Sequence, residues 1–317
     1  MKKIAVIGCG NHVTKNILPV MEKLKWEIKY IVVRDVNKYH DLKQATALVD
    51  DISVVLTDDE LDFIYIATPI STHYDYAKIA LLHGRNVICE KPITIKSDEV
   101  EELNQIAKAK CCKLYQVEMY KYHNQFSSLK DVINSGKYGE VKQATFSFKI
   151  PHLAATDIRY DPKKSGGALF DVGFYPISAA IALFPASKLQ YSICRSEPDY
   201  EVDLHGIALL AANDTIINCQ WAIGACYENK IIIDFSTHRV VVDRAFSKPA
   251  SLNTSLQVVA SNGEQGLVET GCDDQFFNMF SSIESDLEKG GVIVQSTQET
   301  ISIMEAIIQE YKVQEGI

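Results

Sequence analysis

Cys89-Glu90-Lys91-Pro92 sets a lysine directly after the apolar run Val87-Ile88-Cys89, which reads as a buried parallel strand. Open α/β sheets hold their ligands at the carboxyl ends of the strands. An ammonium there can hold a partner's negative charge or, when partly desolvated, lower the pKa of a neighbouring acid. Pro92 lacks an N–H and disfavours helical geometry at Lys91, so the strand should stop and the side chain should turn toward the crevice. On these residues alone, a surface lysine at a strand end is an open alternative.

Gly8-Cys9-Gly10-Asn11-His12-Val13 follows the first apolar run and opens a helical pattern. In a dinucleotide fold the first glycine permits the tight turn, the second lets backbone approach the pyrophosphate, and the helix N-terminus stabilises its charge. The third glycine position holds Val13, and a branched side chain there should loosen the packing or shift the helix. Asp35 closes the second strand at the place of the acid that hydrogen-bonds the adenosine ribose. A carboxylate repels a 2′-phosphate, which favours NAD over NADP, whereas Arg34 beside it could stack on adenine or pair with that phosphate. Ala67-Thr68-Pro69 with Ser71-Thr72-His73 ends the fourth strand, where backbone can pass a nicotinamide ribose; His73 is as well read as a helix-start residue.

Ser165-Gly166-Gly167-Ala168-Leu169-Phe170-Asp171-Val172-Gly173-Phe174-Tyr175 pairs glycines that allow close backbone approach with an acid and a phenol four residues apart. On a helical turn Asp171 and Tyr175 share a face. With Lys91 they make a proton-transfer group, because a nearby ammonium favours the phenolate of a tyrosine that otherwise titrates near pH 10.

The elements that must position these residues change character along the chain. Strands are expected at Ile4–Ile7, Ile28–Val33, Ser53–Leu56, Phe63–Ala67, Val87–Cys89 and Lys113–Val117, alternating with helical patterns as in a doubly wound parallel sheet. A helix over Gln125–Asn134 ends at Gly136, and strands then follow at Val141–Ile150, Leu189–Cys194, Gly206–Ala211, Ile216–Trp221, Lys230–Phe235, Arg239–Arg244 and Leu256–Ala260. Polar turns at Asn213-Asp214 and Asn262-Gly263 favour antiparallel pairing. The expected fold is α/β: a Rossmann doubly wound domain over 1–119, then an α+β domain over 120–317 with a large, mostly antiparallel open sheet. Helices can cover one face of that sheet and a partner subunit the other, so a homodimer or homotetramer is expected.

Composition narrows the function classes. The 317 residues are 47% apolar with a net charge of −9, and no Lys/Arg-rich run offers a nucleic-acid footprint. No leader pattern or apolar run of membrane length stands out. Eight cysteines are scattered without a C-x-x-C pair, which implies a reduced, cytoplasmic protein with no metal site.

Taken with Tyr120-Lys121-Tyr122-His123 and Gly139-Glu140-Val141, these motifs resemble the Gfo/Idh/MocA oxidoreductases over about the first 185 residues. The resemblance implies hydride transfer between a nicotinamide cofactor and the carbinol carbon of a sugar, polyol or diol. It implies Lys91, Asp171 and Tyr175 as catalytic residues, Tyr175 replacing the family's usual histidine. Gly8, Cys9, Gly10, Asn11, His12, Arg34, Asp35, Ala67, Thr68, Pro69, His73, Glu90 and Lys91 would contact the cofactor. Lys121, His123 and Arg159 would grip substrate hydroxyls, unless they are solvated surface residues. Ser165 for a first glycine and Asn124 for a common proline depart from the family pattern. Two other readings use the same residues: a redox-neutral NAD-dependent enzyme that eliminates or epimerises a sugar, and a sensor without turnover.

Overall fold

The computed structural model describes residues 1–39, 42, 45–287 and 295–315. The chain forms two compact units, Met1–Glu118 with Phe276–Val294, and Met119–Gln275 with Gln295–Ile317.

The first unit is built on a six-stranded parallel sheet of β1 (Lys3–Ile7), β2 (Glu27–Val32), β3 (Ala45–Val49), β4 (Phe63–Ile66), β5 (Val87–Cys89) and β6 (Leu114–Gln116), in the order β3-β2-β1-β4-β5-β6. Its central strands are buried on both faces, which is why they read as unbroken Val/Ile runs. Helix α1 (Leu18–Leu24) continues a helical segment that starts at Asn11. Ser53–Leu56, expected as a strand, is instead the single helical turn α2, and the third strand is Ala45–Val49. Asp51 accepts from the Ser53 amide at 2.8 Å, starting that turn, and four apolar residues carry no period that tells strand from helix. Helix α3 (His73–Leu82) stops before Gly84, whose φ is +75°. Asp98 and Glu99 open α4 (Ser97–Ala109) and Lys108 closes it, each complementing the helix dipole.

After α5 (Asn124–Ser135), the second unit is a sheet of eight strands: β7 (Val141–Ile150), β8 (Lys188–Arg195), β9 (His205–Ala212), β10 (Thr215–Ile223), β11 (Glu228–Phe235), β12 (His238–Asp243), β13 (Thr254–Ala260) and β14 (Gln265–Gly271). Their order is β14-β13-β12-β11-β7-β10-β9-β8, with every pairing antiparallel except β7 with β10. Alternate residues of β9 and β11 are buried, so one face carries the core. Helix α6 (Phe174–Leu183) lies on it, with α8 (Gln295–Glu315) against α6 and β8. An 18-residue window within Pro162–Leu183 is apolar enough to cross a bilayer, with a mean hydropathy of 1.4, but 83% of it is buried inside the protein. It is the core helix of this unit.

The remaining helix, α7 (Gln275–Leu287), groups from Phe276 onward with the first unit. Trp26 stacks on Phe63 at 5.6 Å and meets Phe280 edge-on at 5.8 Å, while Lys23 lies 4.6 Å over Phe277.

In the second unit Trp221 anchors the start of α6. Its indole N–H donates to Asp203 Oδ2 at 3.3 Å, and the same oxygen accepts from the Leu169 amide at 2.8 Å. Burial pushes the Asp203 carboxyl up to about 6. Two glycines leave room for the indole: a Cβ on Gly173 would lie 3.0 Å from Trp221, and one on Gly206 would lie 2.5 Å from it and 2.8 Å from the Ile193 carbonyl. Overpacking of this kind costs about 1–3 kcal/mol. Gly206→Ala should therefore lower unfolding stability by about that amount in a urea titration, and an unchanged midpoint would contradict this packing.

Candidate active site

The glycine turn of the first unit follows β1 directly. Gly8 has φ of +92°, and a Cβ on it would lie 2.6 Å from the Ala67 carbonyl oxygen, so only glycine lets Ala67-Thr68 pass this close. A Cβ on Gly10 would meet nothing within 4 Å, which leaves open space at the helix N-terminus. Backbone N–H groups at such a terminus suit a pyrophosphate, so these residues fit a dinucleotide. Asn11 lies exposed at this N-terminus and Cys9 is buried beneath it, burial raising the pKa of its thiol. Val13 is fully buried, and the adjustment expected there takes the form of a widened π-helical turn, Val13–Ile17.

Glu90 ties this turn to the sheet. His12 Nε2 lies 2.9 Å from Glu90 Oε1, the Tyr65 hydroxyl from β4 donates to the same oxygen, and Asn16 sits 3.1 Å from His12 Nδ1. Burial alone would raise the Glu90 carboxyl; His12 foremost, then Tyr65 and Lys91, outweigh it and hold it down at about 2. Phe276 of α7 packs 5.6 Å from the His12 ring. Lys91 therefore follows a fixed carboxylate at the end of β5.

His73 is buried, with Nδ1 2.8 Å from the Pro92 carbonyl oxygen and Nε2 2.8 Å from that of Thr68. A carbonyl oxygen stands against each nitrogen, one of them accepting the N–H of the neutral ring, so His73, expected to contact the cofactor, also braces Thr68-Pro69 against Lys91-Pro92. Burial lowers its pKa against the pull of the two carbonyls. At the end of β2, Asp35 accepts from the Asn37 amide at 3.1 Å and lies 3.9 Å from Lys38 Nζ. Arg34 is exposed and makes no hydrogen bond or ion pair among the described residues.

In the second unit Asp171 lies on a π-helical turn, Leu169–Gly173, that runs into α6 and Tyr175. Arg159 Nε donates to Asp171 Oδ2, and Nη1 donates to Asp157 at 3.1 Å. Asp171, with Asp157 behind it, holds that guanidinium charged, so Arg159 positions the acid. Tyr175 is half-buried among Phe148 at 5.3 Å, Phe246 at 5.8 Å and Tyr120 at 6.0 Å. Lys121 is half-buried on the turn Met119–Tyr122.

His123, expected to grip the substrate, has a structural task at one ring nitrogen, while its buried Nε2 has no hydrogen-bond partner among the described residues. It is fully buried and its Nδ1 caps α5, accepting from the Gln125 amide at 3.0 Å. Burial foremost, with Lys248 adding to it, depresses its pKa to about 4. The histidine two residues before a helical run was the signal for a cap, and its side chain is an acceptor of the right length. Sequence reasoning also missed Lys248, a buried ammonium that donates to the Ala245 carbonyl at 2.9 Å. Among the described residues no group of three or more His, Cys, Asp or Glu is placed to hold a metal ion.

Burial lowers the Lys248 pKa from 10.5 to about 7, against the pull of Asp273. Between those two values the unfolded chain binds a proton that the folded chain has released, so stability should rise with pH from about 7 to 10.5. Urea titrations across that window should show the rise in the wild type and its loss in Lys248→Met. A wild-type slope that persists in the variant would place the titrating group elsewhere.

Residues 2–119 match the family described as oxidoreductase family, NAD-binding Rossmann fold (GFO/IDH/MocA), and residues 126–244 match the GFO/IDH/MocA C-terminal domain. The dTDP-3,4-didehydro-2,6-dideoxy-alpha-D-glucose 3-reductase of Actinomadura kijaniata is 31% identical over 256 residues, 78% of this chain and 76% of the relative. D-xylose 1-dehydrogenase (NADP(+)) 2 of Haloferax volcanii is 29% identical over 209 residues, 62% of each chain. Among solved structures, KijD10, a 3-ketoreductase from Actinomadura kijaniata in complex with NADP and TDP-benzene, superposes with a TM-score of 0.90 at 25% identity, covering 98% of this chain and 97% of that one.

Proposed function

The chain belongs to the Gfo/Idh/MocA family of NAD(P)-dependent oxidoreductases, and from that premise we propose that it interconverts a carbinol and a ketone on a sugar or related polyol or diol. A bound nicotinamide supplies or accepts the hydride. The observation that carries the reading is the placement of Gly8-Cys9-Gly10 and Lys91 at the carboxyl ends of β1 and β5, on one edge of one parallel sheet.

Each protein group then has a separate task. Gly8, Gly10, Asn11 and the helix N-terminus hold the dinucleotide phosphates. Lys91 stabilises negative charge on the reacting oxygen, Tyr175 exchanges the hydroxyl proton, and Asp171, fixed by Arg159, orients the substrate. Lys121 is a further substrate contact. The dinucleotide falls to the first unit and the substrate to the second. The substrate we favour is a keto sugar carried on a nucleoside diphosphate, because the 3-reductase from Actinomadura kijaniata carries that activity in its name. The protein works in the cytoplasm as a homodimer or homotetramer through the open sheet face, without nucleic-acid or membrane partners.

For the cofactor, NADP(H) displaces the NAD preference drawn from Asp35. The KijD10 complex contains NADP and the xylose dehydrogenase is named for it. Asp35 is engaged by the Asn37 amide and approached by Lys38, while Arg34 is exposed beside it, a cationic setting for a 2′-phosphate.

Two measurements test this. In thermal-shift titrations NADP should raise the melting temperature more than NAD at equal concentration, and Arg34→Ala should erase the difference; a larger shift with NAD would return the reading to NAD. Lys91→Met should lower kcat by roughly 10²–10⁴-fold with NADP affinity retained. Undiminished turnover would reject the role given to Lys91.

A further inference from the structure

Beyond Tyr175 the aromatic packing of the second unit continues outward. Phe148 lies 5.3 Å from Tyr175 and 6.4 Å from Tyr227, and the Arg244 guanidinium carbon sits 4.6 Å over the Tyr227 ring. Tyr227 and Arg244 border a recess of about 240 Å³, together with Glu228, Asn229, Lys230 and Asp243.

The hydrogen bonds around Tyr227 leave a donor over. Asn229 is buried, and its amide orientation is set by the backbone: Oδ1 accepts from the Phe246 amide at 2.8 Å and Nδ2 donates to the Ser247 carbonyl at 3.0 Å. The same Nδ2 donates to the Tyr227 oxygen at 3.1 Å, and Arg244 Nη1 donates to it at 2.9 Å. Both lone pairs of that oxygen are engaged, and with Tyr227 43% exposed its own proton faces solvent, free to be donated to a ligand. Arg244 makes no ion pair among the described residues. The lysines nearby are matched, Lys230 with Asp243 at 3.2 Å and Lys149 with Glu228 at 3.0 Å, which neutralises the two acids of the recess. Arg244 also holds a left-handed backbone, φ +53°, a conformation less favourable for residues other than glycine.

We propose that Tyr227 and Arg244 form a subsite for a phosphate group attached to the substrate. A hydroxyl donor and an unmatched guanidinium beside it suit an anionic oxygen, and a guanidinium fork is matched to phosphate geometry. The rings run from Tyr175 through Phe148 to Tyr227 and Arg244, so a group attached to a sugar beside Tyr175 would extend toward the guanidinium. The proposal deepens the function proposed above and rests on it for the place of the reacting carbon.

The test is calorimetric titration with dTDP, glucose 1-phosphate and glucose, each with saturating NADP so that the dinucleotide site is closed to the probe. Wild-type protein should bind dTDP, and glucose without a phosphate should give no measurable binding. Arg244→Gly should weaken dTDP tenfold or more, and Tyr227→Phe several-fold, with NADP affinity unchanged in both. Glycine is at home at this φ, which offsets the lost contacts with Tyr227, and the melting temperature of each variant, measured alongside, separates a loss of affinity from a loss of fold. Parallel losses for glucose 1-phosphate would assign the subsite to sugar phosphates in general, and a loss for dTDP alone to nucleoside diphosphates. Equal dTDP affinity in wild type and Arg244→Gly, or no dTDP binding by the wild type, would overturn the proposal. Turnover of an uncharged sugar is read separately, so that failure leaves the oxidoreductase reading standing.

Discussion

A carboxylate largely withdrawn from water needs partners, and half-buried Glu90 meets that need by binding the parts of the first unit on which the dinucleotide reading rests. His12 reaches it from the glycine turn and Tyr65 from β4, while Lys91 is its chain neighbour. Breaking such an arrangement from one side leaves an uncompensated buried charge, which costs far more than a surface pair contributes. The position of the turn relative to the lysine is therefore fixed by electrostatics as well as by sheet register.

The second unit uses the same device with different chemistry. Asp203 is buried between the Leu169 amide and the Trp221 indole, and it locates the turn on which Asp171 stands. Arg159 then bridges Asp171 to Asp157. A charged side chain that sequence reading offers to the substrate is thus engaged first in holding the acid, which is the cost of keeping a carboxylate in one orientation.

The doubly wound half was legible because parallel strands buried on both faces must be continuous apolar runs; Val87–Cys89 and, beyond it, Val141–Ile150 match their expected bounds. Where burial is slight the signal fades. Strand β14 escaped notice because Gln265, Gly266, Glu269 and Thr270 give no alternation and most of it is exposed. Ser53–Leu56 was too short for its period to speak. The pull of Phe276, Phe277 and Phe280 toward the first unit depends on His12, Lys23 and Trp26, far away in the chain, and no local pattern announces it. Histidines are hard to read for a related reason: His73 and His123 look like ligands by residue type, but a buried imidazole is equally a brace or a cap, and only tertiary neighbours decide. The subsite at Tyr227 and Arg244 was invisible because it depends on the amide orientation of Asn229, which backbone 17 residues away sets.

Hydride transfer from the nicotinamide to the carbonyl carbon of a sugar is read directly by isotope labelling. A keto sugar reduced with NADPH carrying deuterium at both hydrogens of nicotinamide C4 should yield an alcohol with one deuterium on the former carbonyl carbon, and none taken up there when unlabelled NADPH is used in D2O. An alcohol lacking the cofactor's deuterium, or labelled at that carbon only by solvent, would contradict it.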